Sequence, residues 1–98
     1  MTIEKKVDGK QLTISLKGRL DTVTSPELEK EIINSIPGVA HLVLDFEGLE
    51  YVSSAGLRVI LSASKLMSRQ GDMILVHVND SIKEVFDMTG FSEILNIE

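Results

Sequence analysis

A mostly apolar run, His41 to Phe46, leads through a short connection into the longest helix-like segment of the chain, which starts near Ser54. The junction reads Tyr51-Val52-Ser53-Ser54-Ala55-Gly56-Leu57-Arg58-Val59-Ile60-Leu61. It dictates a strand, a turn and a helix, in that order. A run of this apolar content suits a central strand covered on at least one face. Two serines and a glycine stand where the chain turns into the helix. Helix N-termini carry unpaired N–H groups and a partial positive charge. Such an end favours an anion, including a phosphate on a serine. The same serines have a plainer use, since Ser is among the preferred N-cap residues.

Strand and helix signals alternate on both sides of this junction. Thr2 to Val7 alternates weakly, Asp8-Gly9 is a hairpin signal, and Gln11 to Lys17 puts Leu12, Ile14 and Leu16 on one face. Gly18 to Asp21 leaves the sheet. Ser25 and Pro26 suit the N-cap and first turn of a helix whose Leu28, Ile32 and Ile36 make one stripe, ended by Pro37-Gly38. The second helix spans about Ser54 to Arg69. Met73 to Val78 reads as another strand, and Ser81 with Glu84 has capping-box spacing at the start of a third helix that Gly90 closes. Ile94 to Ile97 reads as a last short strand. The order is β-β-α-β-α-β-α-β. Strand–helix–strand crossovers force parallel pairs and the opening hairpin adds an antiparallel one. The expectation is an α/β fold, a mixed sheet of four or five strands covered by helices, in one domain over residues 1–98.

Composition narrows the chemistry. The formal net charge is −5, which weighs against a nucleic-acid partner, because that needs a basic footprint. There is no cysteine, hence no disulfide and no thiolate chemistry. His41 and His77 fall on different strands with no partner at ligand spacing, so no metal is expected. Met1 to Lys10 has no apolar signal-peptide core, and no run reaches membrane-spanning length. The cytoplasm is therefore the expected compartment, without membrane insertion.

On a helical wheel Ser54, Arg58, Ser62, Lys65 and Arg69 share one stripe, and Ala55, Gly56, Val59, Ile60, Ala63, Leu66 and Met67 face the sheet. Leu57 and Leu61 project nearer Ser54 and Arg58. They are either part of a docking surface or covered by another helix. Gly56 permits close backbone approach and leaves Ser54 uncrowded. Arg58, one turn on, is in reach of a phosphate at Ser54. No nucleophile elbow, P-loop or dinucleotide fingerprint accompanies the serines. A serine enzyme would need a general base near Ser54, and none is visible. A phosphocarrier would need a reactive His or Cys in the signature, which it lacks.

Val52 to Leu61 resembles the signature of bacterial anti-sigma-factor antagonists, which are STAS domains: Asp-Ser-Ser/Thr-Gly-Leu-Gly or close variants, with the first Ser phosphorylated. Gly18-Arg19-Leu20-Asp21 resembles that family's Gly-Glu-Leu-Asp, and Phe86-Asp87-Met88-Thr89-Gly90-Phe91 its Phe-Asp-Met-Ser-Gly-Leu. The segments are correctly ordered and span essentially the whole chain. The resemblance implies phosphorylation at Ser54, with Ser53 the alternative, since Ser53 stands where the family has Asp. It implies partner contacts from Asp21, Ser53, Gly56, Leu57, Arg58 and Leu61. It also implies a partner switch. The unmodified protein binds an anti-sigma factor that is also a serine kinase, phosphorylation releases it, and a PP2C-type phosphatase resets the cycle. On that reading the chain is a substrate and binding module, not an enzyme. It needs no cofactor, because the ATP and Mg²⁺ belong to the kinase. The alternative is a STAS module of a non-sigma partner switch or a stress-sensing complex.

Overall fold

Period-2 alternation sorts the strand residues onto two faces of a sheet. In the computed structural model, which describes all 98 residues, those strands are β1 (Thr2–Asp8), β2 (Gln11–Leu20), β3 (His41–Val52) and β4 (Asp72–Val76). They lie side by side in chain order. β1 pairs antiparallel with β2, while β2–β3 and β3–β4 are parallel. The α/β mixed sheet is thus the one expected. Leu12, Ile14 and Leu16 of β2, Leu42, Leu44 and Phe46 of β3, and Met73 and Leu75 of β4 are all buried. Their alternates Thr13, Ser15, Val43, Asp45, Ile74 and Val76 are only half-buried.

Three helices cover the buried face: α1 (Ser25–Ser35), α2 (Ser54–Met67) and α3 (Asp80–Thr89). Their apolar stripes, Leu28 and Ile32, Val59, Ile60, Ala63 and Met67, and Ile82 and Phe86, join the strand residues in one core. Phe46 and Phe86 meet in it with ring centroids 6.3 Å apart.

Four details differ from the sequence expectation. The segment after α3 is a 3₁₀ turn (Phe91–Glu93), and Ile97 makes one isolated parallel bridge to Leu75 rather than a fifth strand. The N-cap of α1 is Thr24, while Ser25 is buried inside the helix and its hydroxyl donates to the Asp21 carbonyl. Asn79, not Ser81, caps α3 by accepting from the Ile82 N–H at 2.9 Å. Most consequential, β2 and β3 do not stop at Lys17 and Phe46. Register shifts between Ser15 and Lys17 and between Gly18 and Arg19 carry both strands on to Leu20 and Val52. A bulge re-aims a strand without ending its pairing, and apolar alternation breaks at that point.

Candidate functional site

The extended ends of β2 and β3 build the floor under the start of α2. Ser53 N–H donates to the Leu20 carbonyl at 2.8 Å, locking the turn to β2. Ser53 is the N-cap: its backbone is extended and its hydroxyl accepts from the Gly56 N–H at 3.2 Å. That satisfies one of the orphan donors of the first turn. A Cβ on Gly56 would lie 2.7 Å from Leu20 Cγ and 3.1 Å from the Leu20 carbonyl oxygen, so only glycine fits. The glycine thus seats the first turn directly on β2.

Ser54 is the first residue of α2 and is exposed. Its hydroxyl takes part in no hydrogen bond. The two adjacent serines therefore have separate situations, one tied to the helix frame and one free at its positive end. Arg58 is exposed one turn further on, beside Thr22, Ser25 and Pro26 at the start of α1.

Leu57 does not face outward. It is 7% exposed and belongs to the core, which corrects its expected place beside Ser54. Gly56 is also buried, and Leu61 is half-buried. Of the residues expected to contact a partner around α2, Arg58 is exposed, Ser53 and Leu61 are half-buried, and Gly56 and Leu57 are buried.

Asp21 is half-buried at the end of β2. Its Oδ1 accepts from the backbone N–H groups of Val23 and Thr24, both at 3.0 Å. The Thr24 N–H, above all, holds its carboxyl below the usual carboxylate range, against the opposing effect of burial. Asp21 thus builds the turn into α1, which brings the starts of α1 and α2 together.

His41 lies at the start of β3 and pairs with Asp72 Oδ1 at 2.8 Å. His77 follows β4 and pairs with Asp45 Oδ1 at 2.9 Å. That carboxylate raises the His77 imidazole above its ordinary value. Burial pushes Asp45 up, but the His77 hydrogen bond and the Glu47 N–H outweigh it and hold Asp45 low. The parallel β3–β4 register brings Asp45, Glu47 and His77 within 4.8 Å of one another, a grouping that residue spacing could not reveal. Neither imidazole is hydrogen-bonded to Ser54, so the serine has no paired general base.

No helix is long and apolar enough to cross a membrane. The STAS domain family model matches residues 2–98. BtrV of Bordetella bronchiseptica, assigned by name to the anti-sigma factor antagonists, is 35% identical over 94 residues, covering 94% of this chain and 80% of that one. An anti-sigma factor antagonist from Mycobacterium paratuberculosis has a crystal structure matching 98% of this chain and 83% of its own, with a TM-score of 0.89 at 21% identity. The Bacillus cell-fate determinant SpoIIAA in its phosphorylated form matches 99% of this chain and 91% of its own, with a TM-score of 0.77 at 21% identity. From β1 to the C-terminal bridge, the chain belongs to the STAS domain family, among its anti-sigma factor antagonists.

Proposed function

We propose that this chain is a cytoplasmic anti-sigma factor antagonist working by partner switching. Unphosphorylated, it binds an anti-sigma factor that is also a serine kinase, and so frees the sigma factor. The kinase then phosphorylates Ser54 and the complex dissociates. A PP2C-type phosphatase restores the binding form. The chain is the substrate of both enzymes and catalyses nothing itself.

The observation that carries this reading is the exposed, unbonded Ser54 hydroxyl at the first position of α2, next to a Ser53 hydroxyl already used as the cap. The helix end tolerates the added dianion, and Arg58, one turn further along α2, adds a positive charge on the same helix. The relatives' names support the antagonist role, and SpoIIAA is a structural neighbour that exists in a phosphorylated form. Asp21, Ser53 and Gly56 hold this presentation in place. Arg58 and the rim of Leu61 face the partner.

Capture of binding proteins from the native cytoplasm, with and without ATP, tests the reading. A kinase should be retained without ATP and released with it, leaving phosphate on this chain at Ser54. Ser54→Ala should bind and resist release, whereas Ser53→Ala should still take phosphate. Phosphate on Ser53 alone, or a partner indifferent to ATP, would refute the scheme.

A further inference from the structure

The two outer strands of the sheet are finished differently. β4 is bridged on its free side by the C-terminal segment: the Leu75 N–H donates to the Asn96 carbonyl at 2.8 Å, and the Leu75 carbonyl accepts from the Glu98 N–H at 2.9 Å. β1 has β2 as its only neighbour, and all of its residues except the half-buried Ile3 are exposed. The register Asp8↔Gln11 leaves a two-residue turn, Gly9-Lys10, with Gly9 at a φ of 61°. In such a hairpin the pair beside the turn is hydrogen-bonded, and bonded and non-bonded pairs alternate from there. Val7, Lys5 and Ile3, opposite Leu12, Ile14 and Leu16, therefore form the non-bonded pairs. Their backbone N–H and C=O groups point to the open edge, and none of these groups bonds a loop or a helix.

Lysines on an edge strand ordinarily oppose pairing with another chain. Here the order Ile3-Glu4-Lys5-Lys6-Val7 complements itself in one antiparallel register. A two-fold axis through Lys5, perpendicular to the sheet, sets Ile3 opposite Val7 of a second copy and Glu4 opposite its Lys6. The outward groups of Ile3, Lys5 and Val7 then meet their counterparts in about six N–H···O bonds. Glu4 and Lys6 are exposed, and neither is in a salt bridge within the chain. Glu4 shares an open cavity with Lys17, Asp45 and Glu47, so an incoming Lys6 meets a surface with more carboxylates than ammonium groups. The two Lys5 side chains face each other on the helix side, where each already pairs with Glu31 at 2.8 Å. Sliding the register by two residues sets Glu4 against Glu4 in one direction and Lys6 against Lys6 in the other, both unfavourable. Sliding it by one residue turns the faces over.

We propose that β1 pairs with β1 of a second copy, antiparallel about Lys5, so that one continuous sheet runs through a symmetric dimer. The occupant is the chain itself because the charge order of the edge matches its own reverse. One short strand per copy is a small interface against the roughly 800 Å² per partner of a standard one, so the dimer forms at high concentration and dissociates on dilution. It uses neither Ser53 nor Ser54 and stands apart from the partner switch.

Sedimentation equilibrium of the full chain is the test. Monomer should prevail at about 1 μM and dimer at about 1 mM. Amide exchange read by NMR should slow at Ile3, Lys5 and Val7 between those concentrations. Lys6→Glu and Glu4→Lys should each weaken the dimer by about tenfold or more. An equimolar mixture of the two variants should dimerise again, because every carboxylate then faces an ammonium. Val7→Pro removes an outward N–H without touching the β1–β2 ladder, and it should also weaken the dimer. Circular dichroism should show all variants folded. A chain that stays monomeric at about 1 mM overturns the proposal. A dimer that keeps its strength in both Lys6→Glu and Val7→Pro overturns it too, since the contact then lies elsewhere. Slowed exchange at the three amides of a monomer, seen only on adding cell extract, would give the edge to a foreign strand and likewise overturn it.

Discussion

Gly56 sits under two opposing effects. Replacing Gly by Ala inside a helix ordinarily gains about 1 kcal/mol. Here the new Cβ would meet Leu20, whose side chain is fully buried and whose carbonyl already accepts from Ser53. Overpacking of this kind costs about 1–3 kcal/mol, and the backbone contact leaves little room to relax. Gly56→Ala should therefore lower the melting temperature, and an unchanged or raised value would show that α2 can lift off β2 without cost. Leu57→Ala should remove a buried side chain and destabilise the fold by about 2–5 kcal/mol in denaturant unfolding. The half-buried Leu61 should cost less. The helical wheel placed Gly56, Val59, Ile60, Ala63 and Met67 correctly, but it put Leu57 near the surface and turned Leu66, which is exposed, toward the sheet. A wheel knows only the helix. Leu57 joins the same core as Leu20, Leu49 and Val52, and those three lie beyond bulges that alternation cannot see.

At the scale of elements, each strand–helix–strand unit was legible because apolar strand runs and helical stripes have different periods. Cross-strand partners were not, because register between β3 and β4 is a tertiary fact. The His77–Asp45 pair is the example, and it has a pH consequence. His77 is raised above its ordinary value of 6.5 by the Asp45 hydrogen bond. Its contribution to stability is then fully present below about 6.5 and lost as pH rises through the higher folded value. Asp45 is held below its ordinary value of 3.8 despite burial, so its contribution is present above that value and lost as pH falls through the folded one. Both are charged in the window between. An NMR titration should place His77 above 6.5 in the wild type, and Asp45→Asn should bring it back toward that value. Identical titrations in the two proteins would mean the pair does not form in solution. His77 also has a φ of 56°, in the left-handed region that non-glycine residues adopt uncommonly and His more readily than most.

For the whole molecule, the question is whether a phosphate acts on the fold or on the surface. The three helices stand over one buried face of the sheet, and Ser54 lies outside the core they share. The start of α2 should stabilise an anion by about 0.3–1 kcal/mol. A phosphate on Ser54 should therefore leave the melting temperature unchanged or slightly higher. At an interface the same group faces different terms. A carboxylate about 6 Å from a dianion costs roughly 1–3 kcal/mol at an effective dielectric of about 40–80, and desolvating the dianion adds to this. A total of about 3–4 kcal/mol weakens binding several-hundredfold, which suffices for a switch. Ser54→Asp carries one charge instead of nearly two, so it should fall between wild type and phosphoprotein in affinity while matching both in stability. Calorimetric titration against the proposed kinase partner, paired with thermal unfolding of the same three proteins, separates the two effects. Loss of binding with an unchanged unfolding curve is the outcome expected of a surface switch. A phosphoprotein that melts well below the unmodified chain would mean that the phosphate breaks the α2–β2 junction, and that release comes from local unfolding instead of charge.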